Sequence, residues 1–246
     1  MNYYPLSEGS FTIDQTKVFI PFDTHRDVLR DRPTGSLLVE IQPFVIQTKK
    51  DVLLLDTGLG FSIDGELQIH RNLRALGLLP EQVTKVLLSH LHKDHAGGIA
   101  RGDGSDRTLS FPNANYFISE KELAFVLEKG MPSYPADELR ILIDHPQVQW
   151  VSDGQPIDGY IEVAQSGGHC PFHQVFRIRE DDQLIFFGGD EASQLQQMKH
   201  RFVAKYDFDG KKAQQLRQQW WEQGEQEGWT FLFYHDIQRP DWSFRK

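Results

Sequence analysis

A single cysteine, Cys170, stands in 246 residues, so no disulfide can form within the chain and a reducing compartment poses no difficulty. No apolar run approaches the ~20 residues needed to cross a bilayer. The opening MNYYPLSEGS has neither the basic n-region nor the apolar h-region of a secretory signal. The expectation is a cytoplasmic protein with no membrane partner. Basic residues are outnumbered, 26 Lys and Arg against 35 Asp and Glu, for a formal net charge of -9. The lysine pairs at 49–50 and 211–212 are isolated and form no stripe. Without a basic footprint for a phosphate backbone, nucleic acid is excluded as the expected partner. Internal repeats and low-complexity linkers are also missing, so residues 1–246 are read as one domain with a substantial core. The 39% hydrophobic and 25% charged residues and a mean hydropathy of -0.48 describe a soluble globular chain.

What the chain does hold is a dense group of metal-binding side chains. In SHLHKDHAGG, His90, His92, Asp94 and His95 fall within six consecutive residues, directly after the apolar run Val83 to Leu88. A strand throws alternate side chains to one side, so His90 and His92 can face one ion, while Asp94 and His95 follow on the turn and can reach a second. Neutral imidazoles suit zinc and similar borderline metals, and a carboxylate adds a hard oxygen. With only ten histidines in the chain, three of them beside an aspartate at a strand end is a metal-site signature. Further along, His169 lies in a Gly-Gly-His-Cys-Pro turn, Asp190 ends the apolar run LIFFGGD, and His235 ends the run FLFY. A carboxylate emerging from a buried strand, as Asp190 does, can bridge or neutralise two ions. His25, His70, His145 and His200 lie outside these motifs and read as surface or packing residues.

Strands and helices alternate around these motifs. Phe11 to Asp14 and Lys17 to Ile20 read as an opening hairpin, and Ser36 to Thr48 as a long β segment followed by Val52 to Leu55. Helices are expected over Glu66 to Leu76, from a Ser119 and Glu122 capping box to Gly130, over Ala136 to Ile143, and from an Asp209 cap to about Gln223. Val148 to Val151, Tyr160 to Ala164, Gln174 to Ile178 and Leu184 to Phe187 are read as a second sheet, and Trp229 to Phe233 as the final strand. Asp56, after the apolar strand LLL, reads equally as a turn former before Thr57 and Gly58 or as a functional group at a strand end.

The loop His90-x-His92-x-Asp94-His95 resembles the defining motif of the metallo-β-lactamase-fold superfamily. LLLDTG (Leu53 to Gly58), GGHCPFH (Gly167 to His173), FFGGD (Phe186 to Asp190) and FYHD (Phe233 to Asp236) follow that family's chain order and span most of the chain. The resemblance implies an α/β fold, a four-layer αβ/βα sandwich with the site at one edge. It implies two divalent metal ions, zinc foremost with iron or manganese as alternatives: one held by His90, His92 and His169, the other by Asp94, His95 and His235, with Asp190 between them. Asp56 would lie beside the metal loop, His173 would support the site without ligating, and Cys170 would pack.

Two such ions generate a nucleophile and an electrophile from water and substrate, so the implied function is a metal-dependent hydrolase. A bridging hydroxide would attack a small ester or lactone, with Asp94 as the catalytic residue that orients it or returns its proton. The motifs are nearest to acyl-homoserine lactonases, with one departure: Ser193 stands where those enzymes usually carry a tyrosine. The alternatives are an iron-dependent oxidoreductase on the same fold, as in flavodiiron proteins and persulfide dioxygenases, or a thioesterase or phosphodiesterase. Flavodiiron members carry a glutamate where His92 stands and a fused flavin domain for which this chain has no room.

Overall fold

The computed structural model describes residues 1–102, 104–130 and 132–245. Two sheets carry the architecture. In the first, six strands lie in the order Asn2–Pro5, Phe44–Gln47, Val52–Leu55, Lys85–Leu87, Asn115–Ile118, Val148–Trp150. The second orders five strands as Ile161–Gln165, Gln174–Glu180, Gln183–Phe187, Thr230–Leu232, Asp241–Ser243. A small three-stranded sheet joins Gly9–Ile13 to Phe19–Pro21 and Leu37–Ile41, and so contains the expected opening hairpin.

The strands' two-residue period sorts the core into layers. Leu53, Leu55 and Leu87 face Phe176, Ile178, Ile185, Phe187 and Leu232 in one buried cluster between the sheets. Their neighbours Leu54 and Val86 turn the other way, onto Ile69 and Leu73 of the helix Gln68–Ala75 and Leu123 and Val126 of the helix Glu120–Lys129. On the far side, Phe186 and Phe231 pack with Trp220 of the helix Gly210–Glu227 and with Trp229. Near-continuous apolar strands buried on both faces are what a helix-covered sandwich requires. The result is the expected order of helices, sheet, sheet and helix. Among the described residues, no helix is long and apolar enough to cross a membrane.

Several expectations need correction. Val148–Trp150 pairs in parallel with Asn115–Ile118 and so closes the first sheet; it does not open the second. The stretch Ser36 to Thr48 is two strands in different sheets, broken at Gln42 and Pro43, since proline has no N–H to give a ladder. The chain's last strand is Asp241–Ser243, which pairs antiparallel with Thr230–Leu232. The helix capped by Asp209 runs on to Glu227 and stops at Gly228, whose left-handed φ of 71° ends it. At Ser119 only half of the capping box forms: the serine accepts from the Glu122 N–H, while the glutamate side chain turns elsewhere.

Topology gathers the sequence motifs at one edge. Val52–Leu55 and Lys85–Leu87 are parallel, so Asp56 and Ser89 emerge side by side. Gln183–Phe187 and Thr230–Leu232 are parallel as well, which brings Asp190 and His235 out together. Gln174–Glu180 runs antiparallel to Gln183–Phe187, so the His169 turn that precedes it lies at the same end.

Candidate metal centre

All seven residues that the sequence motifs single out converge at this edge. His90, His92, His169 and Asp190 form one group whose donor atoms lie within 4.8 Å of one another, and Asp94, His95 and His235 form a second under the same limit. Asp190 connects the two. Its Oδ2 is 3.2 Å from His169 Nε2, while its Oδ1 is 2.9 Å from His235 Nε2 and 3.1 Å from His95 Nε2. Asp94 stands further off, with Oδ2 3.6 Å from His235 Nε2 and 3.7 Å from His95 Nε2.

The outer nitrogen of four rings is already engaged. His95 Nδ1 meets Asp56 Oδ2 at 2.7 Å, His235 Nδ1 meets the Glu40 carbonyl at 2.7 Å, His169 Nδ1 meets Asp207 Oδ1 at 3.0 Å, and His90 Nδ1 meets Ser89 Oγ at 3.0 Å. Each partner accepts an N–H, the serine because its own proton goes to Asp56 Oδ2 at 2.7 Å. A neutral imidazole carries a single N–H, so the Nε2 of every one of these rings turns a lone pair into the site. His90 Nε2 and His169 Nε2 both point at His92 Nδ1, at 2.9 and 3.1 Å, and one proton cannot satisfy all three atoms. Beside the second group, His95 Nε2 and Asp190 Oδ1 are buried and, although 3.1 Å apart, make no well-directed hydrogen bond. Converging lone pairs and orphaned buried atoms fit divalent cations, with nitrogen donors dominating and carboxylates between.

The charge balance points the same way. Burial, helped by neighbouring imidazoles, holds His90 and His92 well below the usual histidine range, so both are neutral donors. Burial also opposes charge on His95, His169 and His235, yet Asp190 and the nearby carboxylates raise all three. Asp190 itself is kept ionised against burial by His235, His95 and His169. The carboxylates thus favour positive charge at these three Nε2 atoms, a negative potential that a divalent ion could answer in place of the protons, with each ring then neutral and its Nε2 lone pair free.

The support around the donors was only partly visible in the sequence. Tyr234 stacks on His95, with ring centroids 4.0 Å apart, and donates to the Asp94 carbonyl at 2.6 Å. Glu191 Oε2 accepts the N–H groups of Gly168 and His169 at 3.2 and 3.1 Å, which ties the His169 turn to the turn of Asp190. His173 accepts the Asp190 N–H on Nε2 at 3.2 Å and meets Ser166 Oγ on Nδ1 at 2.9 Å. Cys170 is buried with its thiol 3.6 Å from Glu122 Oε1.

Glu122 is the unforeseen member. Its Oε1 accepts the N–H of Leu91, between two of the histidines, at 2.9 Å. Burial pushes its carboxyl up to about 8, against the pull of the Leu91 N–H and the Cys170 thiol. Unfolded, the group ionises near 4.5, so its contribution to stability is full below that pH and is lost as pH rises towards 8. Glu122→Gln keeps the acceptor and removes the titration. With both proteins stripped of metal, the variant should out-melt the parent by roughly 5–10 °C at pH 8, the gap closing towards pH 4.5. A melting difference that does not change with pH would show that Glu122 carries no such burden.

The chain is similar to known proteins. A sequence model described as the metallo-beta-lactamase superfamily matches residues 40–193. The N-acyl homoserine lactonase AttM of Azorhizobium caulinodans is 31% identical over 116 residues, covering 43% of this chain and 40% of that one. The chain thus spans about two fifths of the length of the AttM relatives it matches. A solved structure of a probable metal-dependent hydrolase from Staphylococcus aureus superposes with a TM-score of 0.78 at 20% identity, over 99% of this chain and 92% of that one. AidC, a dizinc quorum-quenching lactonase solved with a product, gives a TM-score of 0.72 at 20% identity, over 97% and 88%. At such identities the likeness is one of fold.

Proposed function

Because the chain belongs to the metallo-beta-lactamase superfamily, we propose that it is a metal-dependent hydrolase whose dinuclear centre acts on a small carboxylic ester or lactone. The observation that carries this reading is the split of the Asp190 carboxylate, one oxygen facing His169 and the other facing His95 and His235. His90, His92 and His169 would hold one divalent ion, Asp94, His95 and His235 the other, and Asp190 both. When bound, such ions supply an ionised water and a Lewis-acid contact to the substrate oxygen. Asp94 would be the residue that handles protons; its carboxylate stands further from the imidazoles of His95 and His235 than that of Asp190, which supports the role. Its carboxylate would take the proton of the attacking water and return it to the leaving oxygen.

The substrate class rests on the surroundings. The segment 201–209 passes beside His169 and leaves Phe202, Val203, Tyr206 and Phe208 exposed by 40%, 49%, 44% and 71%. Tyr206 lies with its ring 6.1 Å from that of His169. Exposed apolar side chains beside the candidate centre favour a substrate with an apolar acyl or aryl part, and a chain of net charge -9 disfavours a polynucleotide. AttM and AidC, named for lactone substrates, make a lactone the leading case. Ser193 is buried and its hydroxyl lies 3.3 Å from Gln197 Oε1, so homoserine lactones should be turned over weakly: the serine is too short to bring a hydroxyl to the substrate carbonyl as a tyrosine there would.

The test compares catalytic efficiencies on lactones, other carboxylic esters, thioesters and a phosphodiester, using protein whose metal content has been counted by native mass spectrometry. The expected result is two ions per chain and a preference for a carboxylic ester or lactone. A phosphodiester favoured over every ester by about tenfold, ~1.4 kcal/mol in transition-state stabilisation, would falsify the substrate class. A fully loaded chain with one ion would sink the dinuclear centre.

A further inference from the structure

Among the four outer contacts of the imidazoles, the one at His169 comes from an irregular segment, residues 201–209, that joins the helices Leu195–Lys199 and Gly210–Glu227. We infer that Asp207 is a positioning residue that fixes the His169 ring for the metal, and that through it the segment 201–209 is held in register with the centre. The inference rests on the metal reading above.

The geometry is specific. Asp207 Oδ1 lies 3.0 Å from His169 Nδ1, and the two side chains are only 2% and 6% exposed. A buried carboxylate there accepts the Nδ1 proton, which leaves the Nε2 lone pair facing His92 and Asp190. The backbone on either side of the pair is clamped as well. Phe208 N donates to the His169 carbonyl at 3.0 Å and Asp209 N to the Gly168 carbonyl at 2.7 Å. The far end of the segment is held by buried Arg217, whose Nη2 donates to the Phe202 carbonyl at 2.5 Å and whose Nη1 donates to the Glu191 carbonyl, beside Asp190, at 2.9 Å. The segment is therefore fastened to the two turns that carry His169 and Asp190. Its exposed side chains, Phe202, Val203, Tyr206 and Phe208, take their positions from those bonds. A ligand that needs one tautomer of His169 also favours the docked form of the segment, because the same carboxylate serves both.

Asp207→Ala and Asp207→Asn separate positioning from folding. The amide oxygen of D207N can still accept the Nδ1 proton, and alanine cannot. Zinc binding is measured by competition with a chelator, and the His169 tautomer is read from imidazole nitrogen shifts by NMR in the metal-free protein, at a pH high enough that the shifts report a neutral ring. For D207A one of the two ions should bind about ten- to a hundredfold more weakly, with His169 shifted towards the other tautomer. D207N should recover most of that affinity and the parent tautomer. The inference is overturned if D207A binds both ions like the parent, or if both variants lose both ions equally together with melting temperature. A parent protein that takes up no divalent ion would defeat the functional reading, and the tautomer in D207A against the parent would still decide the role of Asp207.

Discussion

Asp190→Ala is expected to leave the protein with at most one ion and to lower kcat/KM by about a thousandfold or more, about 4 kcal/mol of transition-state stabilisation. The reason is the position of the carboxylate, with Oδ2 towards His169 and Oδ1 towards His95 and His235. Removing it takes away the carboxylate that faces both groups and, with it, the negative charge that would lie between two cations held there. Two dications in such a buried site would repel strongly, because screening is weak. His173→Ala makes the informative contrast. His173 touches the Asp190 backbone N–H and Ser166, both by hydrogen bonds, and it stands outside the two donor groups. That variant should keep both ions, with activity reduced only as far as the Asp190 turn loosens. Native mass spectra of the two variants, purified side by side with zinc supplied, decide the matter. Equal metal content in both would mean that the division between donor and support at this turn is wrong.

How much of this could be read from the chain follows from the range of each interaction. His90, His92, Asp94 and His95 sit in one loop, and Asp190 and His235 each close an apolar run, so local pattern was enough to find them. Asp56 also closes an apolar run, and it is one of four groups that meet the outer ring nitrogens of the donor histidines. Ser89 stands beside His90 in the motif itself, and the other two gave no local signal. Asp207 belongs to an irregular segment and reaches His169 across 38 positions, and the Glu40 carbonyl meets His235 across 195. Backbone carbonyls have no sequence signature at all.

Glu122 shows a local rule losing to a tertiary one. Three residues after Ser119 it fits a capping box, yet its side chain goes to the buried Leu91 N–H, which needs an acceptor. The misplaced strand Val148–Trp150 has a similar cause. Alternation predicts that a segment is extended and on which face its side chains lie. It does not say which neighbour the strand will pair with.

Asp56 is where fold and chemistry are hardest to separate, and two substitutions should separate them. Asp56→Ala is expected to lower the melting temperature by roughly 10–15 °C, while Asp56→Asn should melt much closer to the parent and still lose the ion at His95. The residue is fully buried, with φ at 59°, in the left-handed region that aspartate and asparagine tolerate and alanine does not. Its Oδ1 accepts the Ser89 N–H at 2.6 Å; its Oδ2 accepts the Ser89 hydroxyl at 2.7 Å and the His95 ring at 2.7 Å. Alanine adds about 1–2 kcal/mol of backbone strain to the loss of acceptors for buried donors, each about 1–3 kcal/mol. The amide of Asp56→Asn keeps the backbone and the bond to the Ser89 N–H, but now presents an N–H to His95 Nδ1. Two donors cannot face each other, so the imidazole must move its proton to Nε2, the atom that turns towards Asp190 and the second ion. The asparagine variant should therefore fold and lose the ion of the second group, while the three-histidine group, reached by Asp56 only through Ser89, is weakened less. Measured by native mass spectrometry and thermal melts on the same samples, two ions in D56N would remove the tautomer argument. A D56A protein as stable as the parent would remove the strain and hydrogen-bond argument.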